Sequence, residues 1–128
     1  MSLFEPLQQR SLTLRNRLAV APMCQYCASE GLPETWHLVH LGSRAVGGAA
    51  LVISEATAVS PEGRISPGDV GLWNEAQQQA WAPITAFVRA QGAIAGVQLA
   101  HAGRKASAQR PWDGGGPLAA DEVPWSTV

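Results

Sequence analysis

"ALVISEA", residues 50–56, is the stretch on which the fold turns: an apolar run interrupted only at Ser54 and Glu55. A strand with one wet face alternates apolar and polar residues, so an unbroken run reads as a strand buried on both faces. To its N-terminal side, Glu34 to Val46 places Trp36, Val39, Leu41 and Val46 at mixed three-to-four spacing and stops at Gly47-Gly48, which predicts a helix. Before that, Arg17 to Ala21 (RLAVA) reads as a second buried strand stopped by Pro22, and Leu12-Thr-Leu14 as the arm of a short hairpin. To the C-terminal side, a loop from Ser60 to Asp69 leads to Asn74, an expected N-cap. The helix it opens runs to Arg89 or Gln91, with Trp81, Ile84, Phe87 and Val88 on one face and Gly92 as its stop. Pro83 lies inside that helix and is expected to remove a hydrogen bond and kink it. Ile94 to Ala100 (IAGVQLA) reads as a third buried strand, and everything after His101 reads as loop.

The order is strand, helix, strand, helix, strand, the signature of right-handed crossover units on a parallel sheet. Such a sheet is either doubly wound or closed into a barrel. An eight-unit barrel requires well over twice these 128 residues, so the sheet is small and open or the chain is incomplete.

Composition narrows the function. Nine Lys+Arg against ten Asp+Glu give a net charge of -1 without a basic run, which points away from nucleic acid and from anionic membranes. The longest apolar run, Ala49 to Ile53, is far below a membrane span, and the N-terminus has no signal-peptide pattern, so the expected location is cytoplasmic. Two cysteines do not make a secreted disulfide framework.

In either parallel architecture the working residues lie beyond the carboxyl ends of the strands. Here those ends are Ala21 to Tyr26, Ala56-Thr57, and Gln98 to Lys105. His101, Arg104 and Lys105 are equally compatible with a solvated loop end. Gln98 differs, because an amide inside an apolar run needs a hydrogen-bonding partner, either backbone or ligand. Cys24-Gln-Tyr-Cys27 has the spacing of a redox pair, but Cys27 is followed by Ala-Ser-Glu-Gly-Leu-Pro, a turn and not the helix that lowers a thioredoxin-type thiol's pKa. His37 and His40 would complete a zinc set only at a spacing shorter than a finger's, and on a helix they read as structural histidines. A buried thiol acting as a small hydrophobe is the plain alternative.

RLAVAPMCQY followed by W-H-x-V-H-L, then SEATAVSPEGRISPGDVGLWN, then GVQLAHAGRKAS resembles the N-terminal part of the Old Yellow Enzyme family of flavoprotein ene-reductases. The likeness is greatest to the subclass with a cysteine after the first strand, which includes bacterial xenobiotic reductases, and it extends over essentially the whole chain. It implies that residues 1–128 are the N-terminal part of a flavin-binding (β/α)8 TIM barrel, about three β/α units preceded by a short hairpin. The implied cofactors are FMN, with NAD(P)H as reductant. The implied reaction is reduction of activated C=C bonds, as in enones and nitro compounds, by hydride transfer from flavin N5. Residue by residue, Ala21, Pro22, Met23 and Cys24 resemble the segment lining the isoalloxazine, and Cys24 the thiol that tunes the flavin potential. Tyr26 is similar to a tyrosine of the substrate pocket, Ala56 to a small residue at the pyrimidine side, and Gln98 to the amide on the O2/N3 edge. No metal is implied.

Cys27 falls where the subclass varies, so the resemblance implies one functional thiol and one incidental one. The family's substrate-anchoring His or His/Asn pair, its proton-donating tyrosine and its phosphate loop match nothing in this chain, and His37 and His40 are not that pair. The expected partners are small activated alkenes or nitro compounds, a second chain carrying the rest of the barrel, and further copies once the barrel is complete. The chain by itself is expected to be inactive, a non-catalytic fragment being one alternative and a small dithiol or zinc module another.

Overall fold

A strand that is apolar on both faces needs helices against one of them, and the two long amphipathic segments supply that layer. The computed structural model describes residues 2–119. An antiparallel hairpin of β1 (Leu7–Gln9) and β2 (Leu12–Leu14) precedes a parallel sheet. The sheet is ordered β3 (Ala19–Val20), β4 (Leu51–Ala58), β5 (Ile94–Ala100), with α1 (Thr35–Val46) and α2 (Glu75–Ala90) as the crossovers. Both pairings are parallel, as the apolar strands predict.

The core lies between β4 and the helices. Val52 meets Leu41 and Ala45 of α1 and Trp81, Ile84 and Val88 of α2, joined by Ala49, Val70 and Ala93. Asn74 caps α2 as expected, its side chain accepting the Gln77 backbone N–H at 2.9 Å, and the helix continues through Pro83. Arg15 ties the lower end together by donating to the carbonyls of Gln91, Ala45 and Ala49 at 2.7, 2.9 and 2.9 Å, where the helices and α1's following turn end.

Five expectations need correction, the first being that β5, read as a buried strand, exposes Val97, Gln98 and Leu99 because it is the last strand of the sheet. The strand read at Arg17 to Ala21 shrinks to Ala19–Val20 and is partly exposed, because it is an edge strand here and β4 pairs with it over only two residues. The apolar spacing in α1 does not mark its buried side: Trp36, Val39 and Val46 are exposed, while His37, His40, Leu41, Gly42 and Ala45 are buried. A buried carboxylate on β4 draws the histidine stripe inward, which apolar periodicity alone does not register. Phe87, placed with the buried face of α2, is partly exposed and lies against Gly42 instead. The stretch after His101 holds two short 3-10 turns, Gly103–Lys105 and Pro111–Asp113. The loop reading of residues 120–128 lies outside the described residues.

Candidate functional site

The carboxyl ends of β3, β4 and β5 come together because parallel strands all finish on one side. The register sets Ala56 directly beside Gln98. Both line an open cavity of about 500 Å³ with Ala58, Asp69, His101 and Lys105, within the roughly 300–1,000 Å³ of small-molecule sites. The Gln98 side chain is exposed and has no hydrogen-bond partner among the described residues, although it interrupts an apolar strand. A bulge precedes Ala56: Ser54 pairs with Val97 and Ala56 with Gln98, so Glu55 has no counterpart.

Cys24 reaches this place from the β3–α1 loop. Its half-buried thiol has the Ala56 backbone and the Tyr26 hydroxyl as hydrogen-bonding partners. Burial raises its pKa above the ordinary 9.0, with Asp69 and Glu55 adding to the rise and those two hydrogen bonds opposing it. Tyr26 holds a left-handed backbone at φ +53°, an uncommon conformation for a side-chain-bearing residue, and its ring stands edge-on to Trp112 at 6.0 Å. Burial raises the Tyr26 pKa too. Ala21, Pro22 and Met23 lead from β3 to the thiol; Met23 is exposed, and none of the three lines the cavity of Ala56 and Gln98.

A second loop, residues 60–73, packs against the first. The buried Asp69 carboxylate organises it by accepting from the Ile65 and Ser66 backbone N–H groups and from the Ser66 hydroxyl at 2.9, 3.2 and 2.8 Å. Desolvation raises the Asp69 pKa in spite of these donors. Gly68 permits the close approach, since a Cβ there would run into the Tyr26 carbonyl, and its own carbonyl accepts the Ala28 N–H at 2.9 Å.

Sequence reasoning names Cys24, Tyr26, Ala56 and Gln98 as site residues, and the fold brings the four to one side of the sheet, Ala56 and Gln98 alone of them lining the cavity. It missed Asp69 as a wall of the cavity and Glu55 and His37 as a buried pair; the signal available was a glutamate inside an apolar strand. Cys27 lies 3.9 Å from His37 Nε2. Among the described residues no group of three or more His, Cys, Asp or Glu side chains is placed to hold a metal ion.

Residues 2–124 match the family described as NADH:flavin oxidoreductase / NADH oxidase. Among curated relatives, an NADH:flavin oxidoreductase of Gibberella zeae is 48% identical over 94% of this chain and 29% of its own length. An NADPH dehydrogenase of Bacillus velezensis is 47% identical over 81% of this chain and 31% of its own. The chain therefore spans about three-tenths of the length of the curated relatives it matches. Among solved structures, morphinone reductase superposes with a TM-score of 0.77 at 36% identity, covering 84% of this chain and 29% of that one. The old yellow enzyme of Trypanosoma cruzi gives 0.75 at 36% identity, covering 81% and 28%. The three-stranded unit with its hairpin is the N-terminal part of the TIM barrel of those enzymes.

Proposed function

Because the chain belongs to the NADH:flavin oxidoreductase / NADH oxidase family, we propose that its three strand ends form the pyrimidine and thiol side of a flavin site in an enzyme that reduces activated C=C bonds of enones and nitro compounds. FMN and NAD(P)H are the cofactors of the family. The observation that carries the proposal is the Ala56–Gln98 pair in its open cavity, with the Cys24 thiol near the Ala56 backbone.

The residues suit such a ligand. An amide without a partner among the described residues offers one acceptor and two donors, which matches a ring edge bearing a carbonyl and an N–H. Ala56 is small enough to let the backbone approach a flat ring. Bound FMN, once reduced by NAD(P)H, would supply the hydride for the β-carbon of the alkene. Ala21, Pro22 and Met23 would line the ring, and Cys24, kept as a thiol by burial, would lie beside its reactive edge as a neutral hydrogen-bonding group. Tyr26 would border the substrate, its ring held by Trp112. Asp69 and the 60–73 loop keep the Cys24–Tyr26 segment from moving back.

The substrate anchors and the proton donor come from the rest of a barrel, supplied by further sequence or by a second chain. The test is NAD(P)H-dependent reduction of cyclohexenone, with flavin absorbance, by the protein carrying this segment in a completed barrel. Reduction with stoichiometric FMN is expected, and a completed barrel that binds no FMN overturns the proposal.

A further inference from the structure

A carboxylate taken out of water has to be met by donors, and the donors that meet Glu55 tie it to the site thiol. Glu55 is 3% exposed and His37 1%. One Glu55 oxygen accepts the backbone N–H of Gln25, the residue after Cys24, at 2.9 Å; the other lies 3.3 Å from His37 Nε2. His37 Nδ1 accepts the Glu34 backbone N–H at 2.8 Å. An accepting Nδ1 carries no proton, so Nε2 holds it, within reach of Glu55 and with the Cys27 sulfur 3.9 Å away. Trp81 stands edge-on to the imidazole at 6.1 Å and keeps the ring from turning away.

These bonds form one path across the β3–α1 loop, from Gln25 near its start, through the bulge of β4, to Glu34 at its end. Gln25 is held a second time, its side chain donating to the Met23 carbonyl at 2.8 Å and accepting from Trp36 Nε1 at 2.9 Å. A buried polar pair that served stability alone could be replaced by apolar residues at little loss. This one lands at both ends of the loop that carries Cys24.

We propose that the buried Glu55–His37 pair is a positioning element that fixes Gln25, and through it the Cys24 thiol, against the end of β4. Its meaning for catalysis rests on the flavin reading given above. Glu55 touches neither ligand nor reacting atom in this scheme and acts only through the loop. The bulge is what makes it possible: an in-register Glu55 would point its carboxylate to the opposite face from Ser54 and Ala56, away from one of its two donors.

The test is the rate at which iodoacetamide alkylates Cys24 in the whole protein, followed by peptide mass spectrometry at one fixed pH. His37→Asn keeps an acceptor where Nδ1 stands and cuts the link to Glu55; Glu55→Asp keeps the charge but is one methylene too short for both donors. His37→Gln places its amide where Nε2 stands and should restore the link. About tenfold faster alkylation is expected in His37→Asn and Glu55→Asp, with His37→Gln close to the unsubstituted protein and β4–β5 amide exchange unchanged in all. Wild-type rates in the first two variants overturn the proposal, as does a rise matched by an equal loss of β4–β5 protection, which marks general loosening. Should His37→Asn not fold, Glu55→Asp against His37→Gln decides alone. FMN added to the unsubstituted segment in a completed barrel should protect Cys24; absence of protection there counts against the flavin reading and leaves the clamp standing.

Discussion

At the scale of single residues, the site depends on side chains whose surroundings are set by their neighbours in space. Gln98 has an exposed amide without a partner among the described residues. If the flavin edge is its partner, Gln98→Leu leaves polar ligand atoms unpaired at about 1–3 kcal/mol, and FMN affinity in the completed enzyme should fall about tenfold or more by fluorescence titration. Unchanged affinity would return the glutamine to the protein's own service. The two thiols should also differ. Cys24→Ala is expected to shift the flavin reduction potential and substrate affinity, with Cys27→Ala nearly silent; equal effects would restore a paired role. Since burial raises the Cys24 pKa, its alkylation should climb with pH through a midpoint above 9.0, the opposite of an activated catalytic thiolate. A midpoint below that value would show that the two hydrogen bonds outweigh desolvation.

Elements depend on their ends. The Asn74 cap satisfies one of the four amides that begin α2 without a helical partner, and Asn74→Ala should cost about 1 kcal/mol in chemical denaturation. Arg15 does the corresponding work at the other end, giving three hydrogen bonds to carbonyls that close α1 and α2. Arg15→Met keeps the stem and removes the donors, and a loss of about 2 kcal/mol is expected, because bonds from a charged group to orphan carbonyls exceed neutral ones. No loss would mean that water replaces the guanidinium at both helix ends. The hairpin thus acts as more than a leader: it delivers Arg15 to the closed end of the sheet, opposite the site.

At the scale of the molecule, the described residues cover the sheet on one side only, and incompletely. Val97 and Leu99 of β5 are exposed, as are Trp36, Val39 and Val46 of α1, and among the described residues no strand lies beside the outer edges of β3 and β5. Apolar strands with open edges seek partners. The 128-residue chain expressed alone should therefore associate, retain little FMN and fail to reduce cyclohexenone, as judged by sedimentation velocity and flavin absorbance. A monodisperse monomer that binds FMN and turns over would overturn the need for a completed barrel.

The sequence by itself determined the parallel sheet, because apolar runs such as Ala50 to Ala56 and Ile94 to Ala100 are satisfied only between two covering layers, and helix caps such as Asn74 act through residues three positions away. It also carried the family motifs from which Cys24, Ala56 and Gln98 were read. Only the tertiary structure decided which side of α1 is buried, since apolar spacing pointed to Trp36, Val39 and Val46 while the burial of His37 depends on Glu55, eighteen residues along the chain on another element. The same holds for the Ala56–Gln98 register and for the bulge at Glu55. Hydrogen bonds to a buried carboxylate join groups distant in sequence, and periodicity contains no term for them.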